Sequence, residues 1–454
     1  MRARSGTVRR RFAAARVARA AHAAVAVLAL VAVAALSGCT STAVSAGPRF
    51  VTPPLIRYTS VLWPVPLQLV GAEPGSRVRL EARMSTARGV WSSTATYTVP
   101  ASGALDLAAA KPQLSRFSEP DSAGLFWSLR GPQLGQQALA QQWMREVSPV
   151  TVTAFDGSRA IASRTFRLQG IGADVRTRTV FTRDLLAATA ARSGGTAPRI
   201  PTQTHEDVQV GTFYSARSIE RPRTPAVVVF DDPAPGASGD FVAPLLSLFG
   251  ASVFVVPMSR SADGVRLSSI VDADTIGGVL DWLDERPDVD ARQVFAYGTS
   301  QSEQLALWSA ARFPDRLTGV FAAGGATALL CLPSSPVGPV FDGGVPEGCM
   351  IDPLLVNDAA TPPLSVLRGS IVIGCSVHDE TLPTACDWLD AAMATRGTRA
   401  GDVILRDSAA THDTMVPPGL PIAVQDGQRG EATEHARIAF WDAVLNVLLR
   451  SGRA

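Results

Sequence analysis

Ser300 lies in the string Val294-Phe-Ala-Tyr-Gly-Thr-Ser-Gln-Ser302. An apolar, strand-like run enters Gly298, a serine follows, and the stretch 303–312 has helical character. Strand, sharp turn, serine and helix make the pattern of a nucleophile elbow. Such a turn lifts a hydroxyl above a sheet edge and sets it beside the positive end of a helix. A hydroxyl attacks only when a base takes its proton. An imidazole does this, and a carboxylate fixes the imidazole tautomer and stabilises its charged form. The chemistry implied is nucleophilic attack on an acyl carbon.

In folds with this elbow the partners follow in the order serine, acid, histidine. The chain has five histidines. His22 lies in the N-terminal leader, and His205 and His378 precede the candidate acid. That leaves His412 and His435. His412 stands in Ala-Ala-Thr-His-Asp-Thr-Met-Val-Pro-Pro, just after a predicted strand, and is preferred as base. His435 falls inside a predicted closing helix, where packing or exposure is its ordinary role. Asp379 is preferred as acid because it follows the predicted strand 371–374. Glu380 is expected to point elsewhere, and Asp387 and Asp390 read as surface charge on the next helix. The attacked carbonyl also needs two backbone donors for its developing negative oxygen. One is expected from the amide of Gln301. The other is expected from the loop 231–236, where Pro233 and Pro235 have no N–H, leaving Asp232 or Ala234.

The elements that would position these residues alternate between buried strands and helices. Strands are predicted at 208–215, 226–230, 253–257, 293–297, 317–323, 370–374 and 402–406. Helices are predicted at 241–249, 275–283, 303–312, 384–394 and 432–449. This alternation predicts an α/β fold with a mostly parallel sheet covered on both faces. Before it the pattern has period two, with strand candidates at 67–70, 78–82, 93–99, 125–129, 150–155 and 165–168. Turn signals stand at Pro74-Gly75 and Asp156-Gly157. Short strands at this spacing predict a β-sandwich of roughly a hundred residues. The expected organisation is a leader 1–38, a tether 39–56, a sandwich 57–170, a linker 171–205 and a catalytic domain 206–454.

The leader has seven arginines before an apolar run of 17 residues, Ala20 to Leu36, and then Leu36-Ser-Gly-Cys39. A basic head, a short apolar core and small residues make an export signal. Alternatives are an ordinary signal peptide or a membrane helix, for which 17 residues are short. Cys39 at the end of the signal resembles a bacterial lipobox. That implies a lipid on Cys39 and an exported protein anchored at the outer face of the bacterial cell membrane. The whole chain carries 42 basic and 40 acidic residues; without the leader's seven arginines, 35 basic residues face 40 acidic ones. Such a mildly acidic protein lacks the basic footprint of a nucleic-acid binder. Four cysteines remain: Cys331, Cys349, Cys375 and Cys386. An even number in an exported chain predicts disulfides. Of three pairings, the local ones, Cys331–Cys349 and Cys375–Cys386, are favoured over the crossed ones; four buried thiols are the alternative. No Cys or His spacing points to a metal, and no glycine motif points to a nucleotide or other cofactor.

Several blocks together resemble a known family. The N-terminal ones are Gly71-Ala-Glu-Pro-Gly75, Gly89-Val-Trp-Ser92, Tyr97, Gly103-Ala-Leu-Asp-Leu107 and Gly124-Leu-Phe-Trp-Ser-Leu129. The C-terminal ones are Trp282-Leu-Asp-Glu-Arg-Pro-Asp-Val289, Tyr297-Gly-Thr-Ser-Gln301, Asp379-Glu-Thr-Leu-Pro383 and His412-Asp-Thr-Met-Val-Pro-Pro418. They resemble the acyl-CoA thioesterase and bile acid-CoA:amino acid N-acyltransferase family. The resemblance spans about residues 60–450. It implies an immunoglobulin-like β-sandwich followed by an α/β-hydrolase domain. It also implies an acyl-enzyme on Ser300, with His412 as base and Asp379 as orienting acid. Family members hydrolyse acyl-CoA thioesters or pass the acyl group to an amine, and a serine nucleophile goes mainly with hydrolysis. The expected substrate is thus a small acyl thioester or ester. The alternatives are an extracytoplasmic acyltransferase and an inactive lipid-anchored binding protein. The chain departs from the family pattern at Gln301, usually lysine; at Ser302, usually glycine; and at His378, usually aspartate. The usual glycine-rich oxyanion loop is replaced by 231–236.

Overall fold

The computed structural model describes residues 47–51, 66–87, 89–132, 146–168, 175–193, 208–215, 223–231, 238–257, 259–262, 265–332, 337–397, 399–421 and 427–451. The leader, Cys39, His205 and the loop residues 232–236 lie outside them.

The first seven strands are antiparallel. They are β1 (Arg49–Val51), β2 (Gln68–Val70), β3 (Arg77–Thr86), β4 (Gly89–Thr98), β5 (Ala104–Asp106), β6 (Ser148–Asp156) and β7 (Arg159–Leu168). They form two sheets, ordered β1-β2-β5 and β4-β3-β6-β7. In β3, Val78, Leu80, Ala82 and Met84 are buried while Arg77 and Arg83 are exposed. This period-two alternation leaves one face for the core and one for solvent. Leu69 and Leu105 of the small sheet share one hydrophobic core with Leu80 and Val152 of the large one.

Two expectations are corrected here. Residues 125–129, predicted as a strand, instead hold the helix α1 (Gly124–Trp127). All four of its residues are buried, so no alternation marks it as helix or strand. Asp121 organises it, accepting from the Ala123 N–H at 2.7 Å and the Trp127 Nε1–H at 2.6 Å. The expected tether 39–56 contains β1, which pairs with β2. Three residues are too few to carry a periodic signal.

The second part builds an eight-stranded sheet. Its elements in chain order are β8 (Arg176–Phe181), α2 (Thr182–Arg192), β9 (Gln209–Ser215), β10 (Thr224–Phe230), α3 (Gly239–Leu248), β11 (Ser252–Val256), β12 (Ser259–Ala262), β13 (Val265–Asp272), α4 (Ala273–Asp284), β14 (Val289–Thr299), α5 (Glu303–Arg312), β15 (Gly319–Ala323), β16 (Val337–Asp342), β17 (Val345–Pro346), β18 (Ile371–Ser376), α6 (Ala385–Arg396), β19 (Val403–Asp407) and α7 (Gly427–Ser451). The sheet runs β8-β9-β11-β10-β14-β15-β18-β19. From β11 to β19 all pairs are parallel; β8 and β9 are antiparallel to their neighbours. This order, with β10 and β11 exchanged, is that of an α/β-hydrolase. The expected fold class therefore holds.

The expected linker 171–205 contains β8 and α2, both parts of this sheet domain. Four of the six residues of β8 are exposed, so this edge strand shows no apolar run to betray it. The small sheet β12-β13-β16-β17 was also not foreseen.

All seven residues of β10 are buried, as a central parallel strand requires. Val227 and Val229 face one core, shared with the sandwich, α3 and α7; Ala226, Val228 and Phe230 face the other, with α4, α5 and α6. Burying each such valine contributes roughly 1.5–3 kcal/mol. Polar bonds join the sandwich to α7: Glu431 accepts from the N–H groups of Ser118 and Glu119 at 2.8 and 3.0 Å. Residues Arg49–Ala454 form one compact unit. Among the described residues, no helix is long and apolar enough to cross a membrane.

Candidate active site

Ser300 follows the last residue of β14 and opens a single 3-10 turn, Ser300–Ser302, which runs into α5. Its φ is +48°, the one positive value at a non-glycine position among the described residues. Such strain persists only where the surroundings enforce it. Here two glycines do so. A side chain at Gly298 would overlap the carbonyl of Ser302, and one at Gly325 would overlap the carbonyl of Ser300. The backbone therefore turns within a space that excludes even a methyl group. Ser302, standing where glycine is usual, has a use of its own. Its Oγ donates to the Thr299 carbonyl and accepts the Thr299 N–H, each at 2.9 Å, which ties the turn together.

The other two residues come from the next loops along the same sheet end. Asp379 follows β18, and His412 opens a 3-10 turn, His412–Met415, after β19. All three thus lie past the carboxyl ends of parallel strands, where open α/β sheets place their sites. His412 Nε2 lies 3.0 Å from Ser300 Oγ, and His412 Nδ1 lies 2.7 Å from Asp379 Oδ2. Asp379 is 3% exposed. Its Oδ1 accepts from the N–H groups of Thr381 and Leu382 at 2.8 and 2.7 Å, so both oxygens have fixed duties. A carboxylate held this way presents an acceptor to Nδ1, which leaves Nε2 unprotonated and facing the hydroxyl.

The remaining candidates divide clearly. His435 is exposed on α7 and is not part of this group. Asp390 pairs with Arg406 at the surface, and Asp387 is exposed. Glu380 was expected to point elsewhere, yet it accepts the His412 backbone N–H at 3.2 Å and pairs with Arg429 at 3.1 Å. The Gln301 backbone sits between Ser300 and α5, at the helix amino end. Asp232 and Ala234 lie outside the described residues. The amide of Asp231 is engaged by the Val256 carbonyl at 2.9 Å, so it does not serve the site.

Two residues of α5 escaped the sequence reading. Glu303 is 2% exposed, and its Oε2 accepts the Gly325 N–H at 2.6 Å. Burial pushes its carboxyl well above the usual range; the Gly325 N–H opposes this, and the charge of Asp379 adds to it. Gln304 donates to the Gln301 carbonyl and accepts the Leu330 N–H, joining the elbow to the loop after β15. The chain shows only two polar residues opening the helix after the serine, and nothing in it marks them as buried.

Both favoured disulfides are present, Cys331–Cys349 and Cys375–Cys386, with Cα separations of 5.6 and 5.2 Å. Such bonds mark a chain folded in an oxidising, extracytoplasmic compartment. The second spans the two ends of the loop that carries Asp379.

Comparison with known proteins agrees with the sequence resemblance. Residues 63–181 match the family described as acyl-CoA thioester hydrolase/BAAT N-terminal region. The N-terminal part of the chain is of this type. The matched segment takes in β2 to β7 of the sandwich and ends with β8, the first strand of the large sheet. No curated protein matches the chain. Among solved structures, the chain is similar to a putative dipeptidyl aminopeptidase IV from Bacteroides ovatus, with 12% identity and a TM-score of 0.36. That match covers 84% of this chain and 48% of the other, so the chain spans about half its length. A dienelactone hydrolase-like promiscuous phosphotriesterase from metagenomic libraries has 18% identity and a TM-score of 0.37, covering 61% of this chain and 98% of that one. Carboxyl esterase 2 from Tuber melanosporum has 15% identity and a TM-score of 0.38, covering 61% and 89%.

Proposed function

We propose that the protein is a serine acyl hydrolase that cleaves a small thioester or ester through an acyl-Ser300 intermediate. The observation that carries this reading is one line of contacts. A strained serine at a helix amino end meets His412 Nε2 at 3.0 Å, while Nδ1 of the same ring meets buried Asp379 at 2.7 Å. The acyl-CoA thioester hydrolase/BAAT-type N-terminal region supports a thioester or ester as substrate.

In this reading Ser300 Oγ attacks the acyl carbon as its proton passes to His412 Nε2. Asp379 stabilises the imidazolium and holds its tautomer. The Gln301 N–H donates to the developing oxyanion, and a second donor is assigned to Asp232 in the loop after β10. The carbon–sulfur or carbon–oxygen bond then breaks, and the leaving thiolate or alkoxide takes the proton from Nε2. Water attacks acyl-Ser300 with His412 again as base, and the acid is released with Ser300 restored. A serine rather than a cysteine nucleophile favours water as acceptor.

The same reading places the enzyme outside the membrane, tethered by lipid on Cys39. The leader sequence and the two disulfides support export. The test is hydrolysis of short acyl thioesters and nitrophenyl esters by the full protein and by Ser300→Ala. Loss of at least a thousandfold in kcat is expected, with free acid as product. Equal rates in the two proteins overturn the serine reading, and acyl transfer to an added amine in excess over free acid overturns hydrolysis.

A further inference from the structure

Helix α7 carries four polar-tipped side chains one turn apart: Arg429, Thr433, Arg437 and Trp441. Residues four apart share a helix face. All four bond to the loops that hold Asp379 and His412. Arg429 donates to the His378 carbonyl at 2.9 Å and to Glu380, which in turn accepts the His412 N–H. Thr433 Oγ1 accepts the Thr411 N–H at 2.9 Å. Arg437 Nε donates to the Asp413 carbonyl at 2.9 Å, and Trp441 Nε1 donates to the Met415 carbonyl at 3.0 Å. The partners 411, 413 and 415 alternate along the backbone on either side of His412.

We propose that this stripe of α7 is a positioning device that sets the His412 ring against Ser300. The inference rests on the acyl-hydrolase reading and names the residues that hold that site's base in place. Packing alone does not call for this arrangement. Thr433, Arg437 and Trp441 are at most 2% exposed. Burying a guanidinium and a hydroxyl is costly unless each is bonded, and an apolar stripe would cover the same loop but take these partners from the Thr411 N–H and the Asp413 and Met415 carbonyls. The polar groups instead fix individual backbone atoms of the His412 turn. Their effect on chemistry is indirect, since a base displaced by about 1 Å loses on the order of a hundredfold in rate.

The test uses the full-length protein with Thr433→Val and Arg437→Lys. Valine keeps the shape of threonine and removes the hydroxyl that accepts the Thr411 N–H, along with its bond to Thr411 Oγ1 and its donation to the Arg429 carbonyl within the helix, which keeps its backbone bonds; this variant decides the matter if the arginine variant fails to fold. Two readouts are taken: kcat and KM on a nitrophenyl ester, and the Nδ1–H resonance of His412 in nitrogen-edited NMR, assigned by its absence in His412→Gln. A fall in kcat of about 10- to 100-fold is expected, with KM changed less than about twofold. The His412 resonance should shift or broaden. His435→Ala, exposed on the same helix, should change neither. Wild-type kcat together with an unmoved His412 resonance in Thr433→Val overturns the proposal. If the wild-type protein shows no turnover that depends on Ser300, the hydrolase reading fails. The resonance then decides by itself: a shift in Thr433→Val supports positioning, and none overturns it.

Discussion

Replacing Asp379 by asparagine separates the role of the buried carboxylate from its mere presence. Oδ1 of Asp379 accepts two backbone N–H groups, from Thr381 and Leu382. An asparagine must keep its carbonyl oxygen there, because the flipped amide would turn N–H against N–H. Its NH2 group is then forced toward His412 Nδ1, where Oδ2 now lies at 2.7 Å. That group donates, so Nδ1 must accept and the ring proton moves to Nε2. An Nε2–H facing Ser300 at 3.0 Å cannot take the serine proton. The geometry survives, but the tautomer is wrong. The expected loss is about 10⁴ in kcat, or roughly 5.4 kcal/mol of transition-state stabilisation. Because the asparagine oxygen still accepts both backbone N–H groups, the variant should still fold, with a melting temperature within a few degrees of wild type. Ester hydrolysis under saturating substrate measures kcat, and differential scanning calorimetry checks the fold. A folded Asp379→Asn protein within tenfold of the wild-type rate would refute the tautomer argument.

Three further outcomes follow from the geometry. Gly325→Ala pushes a methyl group into the Ser300 carbonyl; overpacking of about 1–3 kcal/mol is expected in denaturant unfolding, with loss of activity as the elbow shifts. Glu434 is 1% exposed, and its carboxyl is pushed from an ordinary 4.5 up to about 7, by burial first, against the pull of Arg437 and of the Gly419 N–H. Its folded-state value lies above its unfolded one, so its contribution is full below pH 4.5 and is lost as pH rises through about 7. Glu434→Gln should therefore gain on wild type by on the order of 3 kcal/mol between those limits; parallel stability profiles for the two proteins would reject this. Replacing Cys375 and Cys386 by serine frees both ends of the Asp379 loop, and a loss of roughly 3 kcal/mol in unfolding free energy is expected; an unchanged denaturation midpoint would show that the bond does not constrain the chain.

The features legible in the sequence were those with a local signature. An apolar run into Gly298, followed by serine and a helix, announces a turn that only a few residues can make. Cysteines 18 and 11 residues apart favour local pairing. Buried strands such as β10 read as continuous apolar runs, so the parallel sheet was visible. Asp379 and His412 could be named because a sheet of this kind offers its carboxyl-end loops in a fixed order, and the structure brings both to Ser300. What escaped lacked a local signature. β8 is an exposed edge strand with arginine and threonine in place of an apolar run. α1 is buried on every side, so its Leu-Phe-Trp reads equally well as strand. Ser302 departs from the usual glycine, and only the coordinates show its hydroxyl bonded twice to Thr299. The stripe on α7 has helical spacing, but nothing in the chain says that its partners lie near positions 411–415. Glu380 is adjacent to Asp379 in sequence, and its bond to the His412 backbone depends on the meeting of two distant loops.

The most direct test of the central claim is rapid-quench mass spectrometry of the enzyme during turnover of a slow acyl thioester or nitrophenyl ester. An acyl adduct should appear on the peptide containing Ser300, decay as free acid is released, and be absent from Ser300→Ala. Turnover at the full rate with no acyl mass on that peptide, or with the adduct on another residue, would contradict the account.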